Sequence, residues 1–342
     1  VTDPTAGDPP ADDGPPAPPD PPDPPDPSGT GSPPPDLDPG RFPVHTFEGR
    51  GFAQAYVRVG AGPGRPAVVL VHGWPETKRI WWRVIDPLAA AGFDVIVPDL
   101  RGFGDSAIGP DGLHDVVAHS LDVEALVRGL GHDRAVLVAG DLGGPVVQDL
   151  ALRTDLADRM VLFNCPLPYD KARMAGLRTV HPSTHDYFVR QATDADGLAA
   201  ELTTPEQRRR YIATFYTSRL WAHPGAFDDV AVAFHSDPFG DADKLRATFG
   251  AYESVVDPAK RTDRPAFTRN DRTRTAILFG TSDHVIGPDF DRMAALVFGD
   301  HVGPLLLRDC GHFVPWEAPH ALVSLVVAMC PDRLGPPAGS AG

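Results

Sequence analysis

Cysteine is scarce: Cys165, Cys310 and Cys330 are the only ones in 342 residues, an odd number with no C-x-x-C spacing. That excludes a disulfide framework or a thiolate zinc site, and it makes a reducing cytoplasm the expected compartment. The 13 histidines show no ligand spacing either. His181 and His185 come nearest, but Pro182 and Ser183 between them spoil a regular helix, so both are read as loop or lid residues. No apolar run approaches the ~20 residues that span a bilayer, and no integral membrane protein is expected. The opening Val1-Thr2-Asp3-Pro4 carries neither the basic nor the apolar part of a secretory signal. A basic stripe is missing too. With 31 Lys and Arg against 46 Asp and Glu, the net charge of −15 argues against nucleic-acid binding.

Proline, by contrast, is abundant at 39 residues, and it is unevenly placed. Residues 1–40 hold 16 of the prolines and nine aspartates, with no Lys, Arg or aromatic residue, which leaves −6 for the rest of the chain. Such a tract cannot bury apolar surface, so it is read as a disordered, extended tail, more simply a solubilising extension than a docking arm. From Arg41 the pattern becomes strand and helix in alternation. Phe52–Val59, Pro66–His72, Asp94–Pro98, Arg134–Ala139, Arg159–Asn164, Thr275–Gly280 and Pro304–Arg308 read as strands. Ile80–Ala91, Asp115–Leu130, Gly143–Arg153 and Pro319–Met329 read as helices. Unbroken Val/Ile/Leu strands are buried on both faces, which predicts an α/β fold with a mostly parallel central sheet covered by helices.

Between about Pro166 and Phe267 the strand signal stops. Thr204-Pro205-Glu206-Gln207 is a capping box with Pro at the first helical position, opening a helix through Tyr211 and Phe215, which are expected to pack together. The chain thus divides into a core at 41–165, a helical cap at 166–267 inserted after the sixth strand, a second core part at 268–332 and a flexible C-terminal tail at 333–342.

Chemistry concentrates where strands end. Val136-Leu-Val-Ala-Gly-Asp141-Leu-Gly-Gly-Pro145 is a buried strand running through a tight turn of small residues into a helix, the setting of a nucleophile elbow with Asp141 in the nucleophile's place. Alone, Asp141 is as well explained as a helix cap. Three further features change that weighting: His72-Gly73-Trp74-Pro75 after the first long apolar strand, Thr281-Ser282-Asp283 after another, and Asp309-Cys310-Gly311-His312-Phe313 after the last. Nucleophile, acid and histidine stand in the chain order of hydrolases built on this kind of sheet, at the strand ends where such sheets carry ligands.

On these motifs, together with Asp99-Leu-Arg-Gly-Phe-Gly-Asp-Ser106, the chain resembles the α/β-hydrolase superfamily over roughly residues 44–330, in its epoxide hydrolase and haloalkane dehalogenase branch. The resemblance implies Asp141 as nucleophile, His312 as base and Asp283 as its orienting acid. It also implies the backbone N–H groups of Trp74 and Leu142 as the oxyanion hole, a cis Trp74-Pro75 bond, and no metal or cofactor. Tyr252 falls on the second lid tyrosine that would protonate a leaving oxygen, while His185 and Tyr187 compete for the first. His72, Trp82 and Phe313 are expected to line the substrate pocket, with Trp81 packing behind. Leu142 departs from the branch, where a tryptophan beside the nucleophile binds halide, and it offers no arginine to grip a haloacetate. The expected activity is opening of an epoxide by water to a vicinal diol. A haloalkane dehalogenase on the same skeleton and a lid-gated binding protein without turnover are the alternatives. The partners implied are a small epoxide and water, neither nucleic acid nor membrane, with room for a homodimer.

Overall fold

The apolar runs form the middle of an eight-stranded sheet in the order β1-β2-β4-β3-β5-β6-β7-β8. The computed structural model describes residues 35–168, 172–179, 185–332 and 334. Strands β1 (Val44–Gly49) and β2 (Phe52–Val59) are antiparallel; β3 (Ala67–Val71), β4 (Asp94–Pro98), β5 (Ala135–Gly140), β6 (Ala157–Phe163), β7 (Arg274–Gly280) and β8 (His301–Leu307) run parallel. Every residue of β3, β4 and β5 is buried, as expected of strands with helices on both sides. Helices α1 (Ile85–Ala90), α2 (Val116–Gly129) and α3 (Gly143–Arg153) belong to the first part of the core. Between β6 and β7 the described residues contain helices and no strand: α4 (His185–Thr193), α5 (Ala195–Glu201), α6 (Pro205–Thr217), α7 (Asp229–Ser236), α8 (Ala242–Thr248) and α9 (Gly250–Val256). Helices α10 (Phe290–Val297), α11 (Val314–Glu317) and α12 (Pro319–Ala328) complete the chain. Among the described residues no helix is long and apolar enough to cross a membrane.

Local chemistry explains several helix starts. Thr204 and Gln207 close the capping box on α6 in both directions, at 3.2 and 3.0 Å, with Pro205 inside the first turn. Asp115 caps α2 by accepting from Val117 and Ala118. The continuous helix expected over Ile80–Ala91 is instead a 3₁₀ turn at Lys78–Trp81 followed by α1. Pro87 accounts for the break, since proline is tolerated only in a first helical turn.

Strand β1 is an addition to the sequence reading, and residues 35–40, read as part of a disordered tail, pack on the core. Pro35–Leu37 is a 3₁₀ turn, Leu37 is buried, and the Asp38 carbonyl accepts from Trp82 Nε1 at 2.9 Å. A chain starting at Arg41 loses these contacts while one starting at Pro35 keeps them. The shorter chain is expected to be about 3 kcal/mol less stable, from one lost leucine burial and one orphaned indole N–H. Urea unfolding of the two chains measures the difference; equal midpoints would show that these residues do not brace the core.

Candidate active site

The order β4-β3-β5 marks the point where the chain, having gone from β3 to β4 on one side, crosses to β5 on the other. A crevice opens outside the strand ends at such a reversal. Val71 of β3 pairs with Ala139 of β5, so the residues that follow both strands emerge side by side. Trp74 N–H thereby reaches Asp141 Oδ1 at 2.7 Å. Asp141 has φ of 42°, a left-handed conformation that is uncommon outside glycine and that lifts its side chain out of the turn. The turn is tight enough that a Cβ on Gly143 would lie 2.5 Å from the Val71 carbonyl oxygen. Leu142 is the N-cap of α3, so its N–H is a donor that no helical carbonyl can take. The Trp74-Pro75 bond is cis, as expected.

Strands β6, β7 and β8 deliver the rest at the same edge. His312 Nε2 lies 3.1 Å from Asp141 Oδ2, and its Nδ1 lies 2.9 Å from Asp283 Oδ2. All three side chains are buried. Burial alone would lower the His312 pKa, but the carboxylates of Asp283 and Asp141 outweigh it and hold it well above the usual histidine value. The two carboxylates thus favour the protonated ring.

Three supporting residues have no counterpart in the sequence reading. Asn164, at the end of β6, donates to Asp283 Oδ2 at 2.6 Å and accepts from Gly280 N at 2.8 Å, tying the acid to its neighbouring strand. Asp283 Oδ1 takes the backbone N–H groups of Val285 and Ile286. Glu76 is buried and accepts from Gly73 N at 2.6 Å; burial and then the Asp141 charge push its carboxyl up to about 7. Glu317 accepts from the backbone on either side of His312.

A cavity of about 300 Å³ opens above Asp141. Its described lining is apolar, including Val116, Leu142, Pro145, Phe188, Val255 and Ile286, apart from Asp141, Thr179, Tyr187 and Tyr252. The two tyrosine rings lie 6.1 Å apart and nearly perpendicular, both against Trp74. Burial, followed by neighbouring groups that include Asp141, raises both phenols well above the usual tyrosine value, so they stay protonated. Two other tyrosines of the insert bond elsewhere: the Tyr211 hydroxyl accepts from Gln191 and the Tyr216 hydroxyl donates to the Pro75 carbonyl. Tyr211 and Phe215 pack edge to face, as expected.

Several expectations are corrected by this geometry. His72 does not line the cavity: its ring bonds the Gly73 carbonyl through Nδ1 and accepts from Leu100 N through Nε2, which makes it a neutral brace between two loops. Burial lowers its pKa. Trp82 faces Phe42 and Phe234 on the far side of its turn. Phe313 is fully buried behind His312, stacked on Tyr216. His185 opens α4, but its side chain lies outside the described residues, as does all of His181.

The family model of the alpha/beta hydrolase fold matches residues 66–319. The chain belongs to that family. It is 29% identical over 289 residues to the soluble epoxide hydrolase of Corynebacterium sp. (strain C12), covering 80% of this chain and 92% of that one. The structure of the epoxide hydrolase CorEH without ligand superposes with a TM-score of 0.72 at 25% identity, covering 84% of this chain and 98% of that one. A haloalkane dehalogenase, DbeA from Bradyrhizobium elkani, shares the fold with a TM-score of 0.66 at 22% identity over 84% of this chain and 97% of its own.

Proposed function

We propose that the protein is an epoxide hydrolase that converts an apolar epoxide to a vicinal diol through an ester on Asp141. One observation carries the choice of leaving group. The described cavity lining offers two tyrosine hydroxyls beside Asp141, with no side-chain indole, amide or cation. An epoxide oxygen needs a proton as its ring opens, and a phenol supplies one. A departing halide is held by indole or amide N–H groups; the Trp74 indole, against which both tyrosines pack, spends its N–H on Thr248 Oγ1 at 3.1 Å. A haloacetate needs a cation for its carboxylate.

The steps follow from the distances. Asp141 Oδ2 attacks a ring carbon, the carbon–oxygen bond breaks, and Tyr187 or Tyr252 gives its proton to the leaving oxygen. Esterification removes the Asp141 charge, one of the two that raise the His312 pKa, so His312 gives its proton to the tyrosinate and the neutral imidazole is the base for the next step. His312 Nε2 then takes a proton from water, which attacks the ester carbonyl carbon. The developing oxyanion sits where Oδ1 now meets Trp74 N–H, with Leu142 N–H as the second donor. Collapse expels the diol oxygen, which takes the proton of the newly formed Asp141 carboxyl, and leaves the diol, an Asp141 carboxylate and a protonated His312.

A panel of aryl and alkyl epoxides and 1-haloalkanes, assayed for diol and for halide ion, tests the proposal. Diol without halide is the expected result. Halide release would select the dehalogenase, and binding without either product would leave a lid-gated binding protein.

A further inference from the structure

The insert reaches past the substrate cavity and touches the back of the catalytic machinery. Its segment Leu220–His223, between α6 and α7, lies between the two loops that carry Asp283 and His312. The Trp221 carbonyl accepts from His312 N at 2.6 Å, and the Leu220 carbonyl accepts from His284 N at 2.8 Å. His223 Nδ1 lies 3.1 Å from Ser282 Oγ. The Trp221 ring stands edge-on to the His312 imidazole, with centroids 4.7 Å apart. The approach leaves no room for a side chain on the base loop: a Cβ on Gly311 would lie 2.4 Å from the Trp221 carbonyl oxygen.

Glu317 fastens this junction. Its Oε2 accepts from Gly311 N at 2.7 Å and from His223 N at 3.0 Å, and its Oε1 accepts from Phe313 N at 3.1 Å. One carboxylate thus holds the backbone on both sides of His312 and joins it to the insert. Bonds from N–H groups to a carboxylate are the stronger kind, and three of them define a position rather than a mere contact.

We infer that Glu317 and Leu220–His223 form a seat for His312, making the insert a positioning element for ester hydrolysis as well as a cover for the cavity. The inference rests on the proposed two-step reaction. Asp141 needs Trp74 N–H and a tyrosine proton to form the ester. The Trp221 ring packs on Tyr187 at 5.2 Å, but the Glu317 carboxylate bonds instead to Gly311, Phe313 and His223, so a change at Glu317 tests the seat apart from the proton donors. Ester hydrolysis needs His312 Nε2 within reach of a water beside the carbonyl carbon. A histidine displaced by about 1 Å can lose about 10²-fold in rate.

Glu317→Gln keeps the shape but places an NH₂ against backbone N–H donors, and Glu317→Ala removes the clasp altogether. In single turnovers with styrene oxide, the Gln variant should form the ester at close to the wild-type rate and hydrolyse it about 10²-fold more slowly. The covalent adduct then accumulates. A merely structural role would slow both steps together; that result, or unchanged hydrolysis, overturns the inference. Hydrogen exchange supplies an arm independent of turnover. Amides in 308–316 and 218–225 should exchange about tenfold faster in the Gln variant, with the sheet unchanged. Unchanged exchange there also overturns the seat. Should wild-type protein give neither adduct nor diol with any epoxide, the hydrolase proposal fails while the exchange experiment still decides the seat.

Discussion

The His312→Gln variant is expected to gain the whole mass of a substrate epoxide and keep it. Asp141 Oδ2 remains free to attack, and Trp74 N–H still holds Oδ1. What is missing is the base, since glutamine cannot take a proton from water. Steady-state turnover should fall by about 10²–10⁴-fold, the range that general base catalysis supplies. The adduct should map to the peptide containing Asp141. Asp141→Ala should show neither adduct nor turnover. Intact-protein mass spectrometry reads all of these outcomes, and a haloalkane adduct would be lighter than its substrate by the lost halogen. If wild type turns over an epoxide while His312→Gln never gains mass, Asp141 orients water instead of attacking carbon, and the covalent mechanism is wrong.

The tyrosine pair should show the second large effect. Tyr187 and Tyr252 both line the cavity beside Asp141, and either can hold the proton that the epoxide oxygen needs. Each single Phe variant keeps one donor, so Tyr252→Phe is expected to slow ester formation by about 10²-fold or less, and Tyr187→Phe similarly. The double variant should lose up to about 10⁴-fold, the full scale of acid catalysis. Adduct formation measured in the His312→Gln background isolates this step from hydrolysis. Unchanged affinity of the double variant for the diol product, read by calorimetry, separates lost acid catalysis from a collapsed cavity. Alkylation by an epoxide at an unchanged rate in the double variant would remove both tyrosines from the mechanism.

The legible parts of the site were those written as short motifs at strand ends. Asp141, Asp283 and His312 each follow an apolar run, and parallel pairing of those runs gathers the three at one edge. Side-chain direction was not legible. Trp82 and Phe313 sit beside motif residues yet point into packing, because neighbours in sequence face different ways around a turn. His72 stands in the oxyanion motif but spends both ring nitrogens on backbone. Asn164 and Glu317 act mostly on main-chain groups, which leave no pattern in the sequence. Strand β1 escaped notice for a different reason: its residues are mostly exposed, so no alternation of apolar and polar residues marks it.

His312 hangs from β8, the last strand of the sheet, which is paired on one side and has no fully buried residue. Asp141, the proposed nucleophile, instead follows β5, buried throughout and paired on both sides. Local opening is cheapest where apolar contacts are few and backbone bonds lie near solvent. The molecule therefore has a built-in order of failure, in which the edge loosens before the centre. In a partly opened molecule of this kind the reactive carboxylate outlasts the group that regenerates it. Mild heat or denaturant in the presence of epoxide would then leave the protein alkylated at Asp141 while the edge stays open, so that partial opening is recorded as a covalent mark that lasts until refolding brings His312 back to the ester.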